Sequence, residues 1–199
     1  MFSKKIKTVF DVGASEGTFL RAFANNKSYK VYAFEPIIEK AYALAGRWDN
    51  VHVLPISIDE CESWREFFFN EYSAASSLLE IDKNVLVSWQ TAGHDLSKTT
   101  RRTVLSRRLD TICMDRGIRE ISILKIDTQG NDLRVLRSAG DYLAKTSEII
   151  IEAPTGDIPL YSGGATRVEI EKFLFPQGFR LIREEQQSLG QEVNLYFKK

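Results

Sequence analysis

The sequence predicts an α/β fold built on one mostly parallel sheet, with an antiparallel pair at its C-terminal end. Three observations carry this prediction. Short apolar runs alternate with helix-like segments, the pattern of parallel strands joined by crossover helices. Several of the runs end in an acid, where open α/β sheets bind their ligands. The last two runs are joined by a short polar turn that leaves no room for a crossover helix, so they pair antiparallel. The 199 residues fit one domain spanning 1–199.

The elements follow in order. "IKTVFDV" reads as the first strand. Ser15 or Glu16 to about Asn26 reads as a helix with Phe19, Leu20 and Phe23 on one face. "KVYAFE" is the second strand; Pro36 then suits the first turn of a helix that runs to about Ala45 and stops at Gly46. "VHVLPIS" is the third strand. "SWREFFFNEYSAASSLLEI" fits either a strand or a short helix, and "VLVSWQTAGHDLSKTT" a loop with an extended piece. "RRTVLSRRL" alternates as a strand does; Asp110 then caps a short helix through Arg116, closed by Gly117. "ISILKID" is the fourth parallel-type strand, Asn131 to about Ala139 a helix, and "SEIIIEAP" the fifth strand. After the turn-rich "TGDIPLYSGGAT", Thr166 to about Leu174 is a helix, interrupted near Pro176. "FRLIREE" and "EVNLYFKK" form the closing pair.

Composition narrows the function. Lys plus Arg equals Asp plus Glu at 27 each, which argues against a general nucleic-acid binder, since that affinity leans on phosphate neutralisation. Cys61 and Cys113 lie far apart, and with only His52 and His94 they do not make a zinc centre. Free thiols, no signal-like apolar stretch and no run of about 20 apolar residues predict a cytoplasmic protein without a membrane span.

The chemistry concentrates in "DVGASEG". Asp11, Gly13 and Gly17 follow a strand and open the next segment. Gly13 permits a tight turn on which a ligand can lie, and Gly17 permits close packing. Glu35 ends the second strand, and its two oxygens can accept both hydroxyls of an adenosine ribose. A dinucleotide loop has a second close glycine to admit a pyrophosphate; Ser15 stands there instead. Asp11 would repel a pyrophosphate, whereas a sulfonium and an ammonium favour nearby carboxylates. S-adenosylmethionine therefore fits better than NAD. "ILKIDTQGNDLRVLRSAG" repeats the layout: Asp127 ends its strand, Gly130 lies in the turn and Asp132 opens a helix, where it offsets the helix dipole. Lys125 leaves the opposite face from Leu124 and Ile126 and is placed to pair with an acid. Asp11, Glu35, Asp127 and Glu152 thus end successive strands, which favours a cationic ligand or a metal.

"FDVGASEGTF", "VYAFEP", "RRLDTI", "LKIDTQGNDLRVLRSAG" and "IIIEAP", in that order, resemble the FkbM-type S-adenosylmethionine-dependent methyltransferase family. "IPLYSGG", the helix before "GFRLI", and "NLYFKK" extend the resemblance through the last third. It implies a class I methyltransferase, Rossmann-like three-layer sandwich with a seven-stranded sheet. It also implies O-methylation of a hydroxyl on a sugar, glycan or natural product, with S-adenosylhomocysteine as coproduct. Carried over by position, Asp11, Gly13, Ser15 and Gly17 surround the methionine part of the cofactor and Glu35 holds its ribose. Ser57, Ile58 and Asp59 flank the adenine, and Asp127 faces donor and acceptor. Asp132 departs from the family, which more often has Glu there. The first strand begins almost at once, where many relatives carry a segment over the cofactor; the expectation is a more open site, or one closed by a second copy in a homodimer.

Methyl transfer to a hydroxyl needs alignment and a base. Asp127 is the candidate, as base or as ligand of a divalent metal that lowers the hydroxyl's pKa, though no metal-binding motif accompanies it. His94, beside Asp95 in a polar loop, is the rival, against a solvated role. "FFFNEYSAASS", Trp89 and "LYSGG" are the candidate acceptor contacts, with Phe67 to Phe69 either core or a platform for a sugar face, and Tyr161 a lid tip. Arg101, Arg102, Arg107 and Arg108 either meet an anionic acceptor or line the polar face of a strand. Two other function classes stand beside this one. An NAD-dependent oxidoreductase needs a Tyr-x-x-x-Lys or its equivalent, which "YSGGATR" does not supply; a non-catalytic protein would bind the cofactor without turnover.

Overall fold

The computed structural model describes residues 6–199. Its frame is a seven-stranded sheet. In chain order the strands are β1 (Lys7–Val12), β2 (Tyr29–Phe34), β3 (Val51–Leu54), the short β4 (Ser57–Ile58), β5 (Ser63–Asn70), β6 (Thr99–Arg107), β7 (Ile121–Ile126), β8 (Thr146–Pro154), β9 (Arg180–Gln187) and β10 (Glu192–Lys198). The large sheet runs β3-β2-β1-β7-β8-β10-β9. Its first five strands are parallel; β10 inserts between β8 and β9 and is antiparallel to both. This is the predicted architecture.

Period-two alternation assigns the faces of the sheet. Phe10, Val12, Tyr32, Phe34, Leu124 and Ile126 turn to one side, into a core shared with helices α3 (Leu109–Asp115), α4 (Asp132–Ser138) and α5 (Arg167–Leu174). Val9, Val31 and Ala33 turn to the other, against Leu20 and against Leu44 of α1 (Ile38–Leu44). Both faces are covered, so the central strands read as continuous apolar runs. Asp11 and Lys125 are neighbours in the parallel β1–β7 register, so both side chains leave the second face.

Four local expectations change. The segment after the glycine loop is not a helix to Asn26 but a single 3-10 turn, Phe19–Ala22. Ser15 at φ 47° and Asn25 at φ 58° break the helical path on either side of it. Three apolar residues were too few to specify more. "SWREFFFN" is a strand: with β4 and β6 it makes a second sheet, ordered β4-β6-β5, that the sequence did not announce. Within the 85–100 stretch read as loop and extended chain, Val85 and Leu86 finish a one-turn α2 (Lys83–Leu86), which Asp82 caps. Arg108, not Asp110, occupies the cap position of α3; Asp110 sits in the first turn and clamps the Arg108 guanidinium at 2.6 and 3.0 Å. The predicted start of α5 holds, with Thr166 and Glu169 in a reciprocal capping box.

The second sheet matters because of where it packs. Phe67 and Val104 join Leu78 and Ile37 in a small core that roofs the start of α1. The Phe67 ring is therefore interior. Tyr161 likewise sits in a core with Ala75, Leu79, Leu96 and Leu160, and is no lid tip.

Candidate active site

A cleft enclosing about 710 Å³ of non-atom space, its open mouth included, lies over the C-terminal ends of β1, β2 and β7. Gly13, Ser15, Glu35, Ser57, Ile58 and Asp127 line it. The sequence scatters these residues over more than a hundred positions; the parallel register gathers them at one edge. Gly13 has φ 80°, and a Cβ there would lie 1.8 Å from the Asp127 carbonyl oxygen. Its lack of a side chain is thus demanded by the end of β7 before any ligand arrives.

Glu35 is fixed from both sides. Its Oε2 accepts the Ser15 N–H at 2.7 Å and its Oε1 the Ile37 N–H at 2.7 Å. Each oxygen keeps a second acceptor position for a ligand. Burial raises the Glu35 pKa, against the lowering effect of those two N–H groups and of Lys40. Lys40 also lines the cleft, and its Nζ donates to Ser15 Oγ at 2.8 Å. A lysine in the middle of α1 carries no sequence signal of this role.

Asp11 lies beneath the cleft, fully buried, and does not line it. Lys125 stands between two carboxylates, with Nζ 3.2 Å from Asp11 Oδ1 and 3.3 Å from Asp127 Oδ2. Among the described residues neither Asp11 oxygen has a hydrogen-bond partner, so Lys125 holds it by charge. Burial raises the Asp11 pKa despite that partner. Burial alone would lower the Lys125 pKa; Asp127 and Asp11 together raise it instead. For Asp127, burial pushes upward, but Lys125 and the Gln129 amide outweigh it and hold the carboxyl below its ordinary value.

Gln129, at φ 57° in the turn after β7, organises the far side of the cleft. Its Nε2 donates to Asp127 Oδ1 and to Glu152 Oε2, both at 2.9 Å. Its Oε1 accepts from the buried Tyr161 hydroxyl at 2.8 Å. Burial, then the charges of Asp127 and Glu192, push Glu152 well above the usual carboxylate range. The sequence marked Glu152 as a strand-end acid; the turn residue that joins it to Asp127 had no signal beyond its position in "IDTQG".

Across Ala74 and Gln129 the cleft borders a second cavity of about 660 Å³ of non-atom space. Tyr72, Trp89, His94, Leu189 and Glu192 line it, and among the described residues no lysine or arginine does. His94 stacks on Tyr72 with ring centroids 3.7 Å apart, so it belongs to this cavity and not to the cleft. The 87–98 loop is tied to the C-terminal hairpin by Gln191: its Oε1 accepts the Gln90 N–H at 2.8 Å and its Nε2 donates to the Gln90 carbonyl at 3.0 Å.

Like Asp11 and His94, further sequence candidates stand off the cleft. Gly17 lies against α1, where a Cβ would meet Leu44 at 2.6 Å. Asp59 is buried and engaged with the Arg65 guanidinium at 2.7 Å and the Glu60 N–H at 2.8 Å. The arginine pairs line neither cavity and are ion-paired: Arg101 with Glu66, Arg102 with Glu39, Arg107 with Glu62 and Asp115, Arg108 with Asp110. Among the described residues, no group of three His, Cys, Asp or Glu side chains is arranged to hold a metal ion, and no helix is long and apolar enough to cross a membrane.

A family model described as the methyltransferase FkbM domain matches residues 11–196. No curated protein matches the sequence. Among solved structures, a SAM-dependent methyltransferase from Aquifex aeolicus aligns over 98% of this chain and 84% of its own, at 14% identity and TM-score 0.47. The 1,6-didemethyltoxoflavin-N1-methyltransferase of Burkholderia thailandensis, solved with S-adenosylhomocysteine, aligns over 98% and 72%, at 12% identity and TM-score 0.49.

Proposed function

Since the chain belongs to the methyltransferase FkbM domain family, matched over residues 11–196, we propose that this S-adenosylmethionine-dependent methyltransferase methylates a hydroxyl of a small, uncharged polar acceptor such as a sugar or natural product. The observation that carries the proposal is the pair of adjoining cavities, which share Ala74 and Gln129, with Asp127 on the cleft side and bonded to the Gln129 amide.

The cleft residues fit the cofactor. Glu35 keeps free acceptor positions for a ribose diol. Asp127 is an ionised carboxylate suited to a neighbouring cation. Asn131 is buried at the cleft wall and anchors it, its Nδ2 donating to the Ile58 carbonyl at 3.1 Å. When bound, S-adenosylmethionine supplies an electrophilic methyl group. The chain's part is to orient the acceptor hydroxyl and take its proton. Asp127 is the base: Lys125 and Gln129 keep it ionised, while Glu152 is driven toward its protonated form. Alignment is the larger contribution, and the base adds about 10²–10⁴-fold.

The second cavity supports a neutral acceptor. Tyr72, Trp89 and His94 offer ring faces, and Glu192 and Gln129 offer polar atoms for hydroxyls. Among the described residues no lysine or arginine lines it, which disfavours an anionic one. His94 is an acceptor contact in this scheme.

The test is methyl transfer from labelled S-adenosylmethionine to a panel of neutral sugars, sugar acids, phenols, amines and RNA, with the methylated atom located by mass spectrometry and NMR. Methyl ethers of neutral acceptors are expected. Product confined to nitrogen or to RNA would overturn the O-methylation proposal.

A further inference from the structure

Gln129 holds a backbone conformation that favours glycine, with φ 57°. Such strain persists only where the surrounding structure over-determines it, and it gathers at functional sites. The turn around Gln129 is tightly held. The Asp132 carboxylate accepts the Thr128 and Gly130 N–H groups at 2.9 Å each, and the Gln129 carbonyl accepts from Ser77 Oγ at 2.7 Å. Tyr161 packs on the same turn, where a Cβ at Gly130 would lie 2.8 Å from the Tyr161 Cβ. None of these contacts uses the Gln129 side chain. A glycine at 129 would serve the turn at less cost, so the side chain is what the strain retains.

That side chain spends both of its donors on acids. Nε2 donates to Asp127 Oδ1, at the end of β7, and to Glu152 Oε2, on the adjacent β8, at 2.9 Å each. With both hydrogens committed, the nitrogen has none left for an acceptor molecule, and only Oε1 is free to accept once more. The orientation is fixed, because the amide turned over would set its oxygen against two carboxyl groups. From behind, the buried Tyr161 hydroxyl lies 2.8 Å from Oε1, the shorter of its two contacts, and 3.1 Å from the Ala75 carbonyl. Gln129 and Ala74 are also the residues common to the walls of both cavities.

We propose that Gln129 is a positioning residue for methyl transfer: its amide clips Asp127 to Glu152, so that the two acids are held as one unit, and the Tyr161 hydroxyl sets the clip. This rests on the reading of Asp127 as the base. Gln129 carries no proton in the step itself. Its hydrogen bond goes to the charged form of Asp127 and favours that form. The other ionisable groups around Asp127 are Lys125 on its own strand, Asp11 on β1, Glu152 on β8, Glu192 on β10, Asp132 at the head of α4, and Tyr161. All of them stay in place when only the Gln129 side chain is changed.

The test follows carboxyl ionisation by carbon NMR on the full chain without ligand, the Asp127 signal being assigned from Asp127→Asn. Gln129→Met keeps the side-chain length and the backbone strain but cannot bridge the acids. The Asp127 midpoint is expected to rise by about one pH unit, roughly tenfold in proton affinity. Tyr161→Phe is expected to raise it by less, and to add nothing once Gln129→Met is present, because both act on one bond. With the acceptor that the panel above identifies, Gln129→Met is expected to slow single-turnover transfer about 10–100-fold, with S-adenosylhomocysteine affinity within a few-fold of wild type. An unmoved midpoint in a folded Gln129→Met would overturn the proposal, as would a Tyr161→Phe effect that persists in full beside it. Should Gln129→Met fail to fold, Tyr161→Phe decides alone, and an unmoved midpoint there overturns it equally. The ionisation readout needs neither acceptor nor cofactor, so its failure leaves the base assignment standing; full activity in Asp127→Asn removes that assignment instead.

Discussion

Lys125 and Asp11 face each other across adjacent parallel strands, with the ammonium 3.2 Å from a carboxylate that has no other partner among the described residues. The same ammonium lies 3.3 Å from Asp127. One lysine therefore neutralises a buried acid below the cleft and lowers the pKa of the acid that lines it.

Lys125→Met is expected to leave Asp11 as an uncompensated buried charge and to destabilise the fold by about 3–5 kcal/mol. Adding Asp11→Leu should recover most of that loss, because the pair is then replaced by apolar groups. Chemical denaturation of the single and double variants measures both. A double variant no more stable than Lys125→Met alone would mean that Lys125 serves something other than Asp11.

Asp127→Asn is expected to bind S-adenosylhomocysteine within a few-fold of the wild-type affinity while methyl transfer falls about 10²–10⁴-fold. Single-turnover kinetics with saturating cofactor isolates the chemical step. Full activity in this variant would remove Asp127 from the proton transfer.

Glu35→Ala is expected to weaken cofactor binding about 10–100-fold, since it removes a carboxylate whose two oxygens are already aimed by Ser15 and Ile37. Those two N–H groups also lose their acceptor, so the melting temperature should drop. Unchanged affinity in the folded variant would undo the ribose assignment.

Asp132 accepts the Thr128 and Gly130 N–H groups at 2.9 Å each, yet burial pushes its pKa to about 7. The folded state then holds a proton that the unfolded chain releases near pH 4. Stability from this group is present below about pH 4 and is lost as pH rises toward 7. Across that window Asp132→Asn should show a stability slope shallower by about one proton, ~1.4 kcal/mol per pH unit. An identical slope in wild type and variant would show that Asp132 titrates normally.

Much of the frame was legible because its strands are buried on both faces. "TVFDV", "ISILKI" and "SEIIIEAP" leave no doubt of period or burial, and the acids at their ends mark the ligand edge. The site was legible where one residue type carries one meaning, as at Gly13 and Glu35. It was not legible where the meaning comes from a partner. Asp11 and Asp127 look alike in sequence, but Lys125 makes one a buried counter-ion and leaves the other on the cleft. Asp59 looked like a ligand contact until Arg65, six residues on, reached it in the fold. The second sheet was hidden because β5 is half-buried and aromatic throughout, with no clean alternation.

The paired bonds between Gln191 and the Gln90 backbone join segments 101 residues apart, and neither residue lines the cleft over β1, β2 and β7. Part of the second cavity's wall is thus made by two loop tips, residues 89–94 and 188–192, while strand ends of the central sheet contribute to the cleft. Loop tips accept substitution more readily than packed strand ends. Descendants of such a chain can exchange one acceptor for another by altering two peripheral turns together, keeping the methyl donor's seat as an inherited constant.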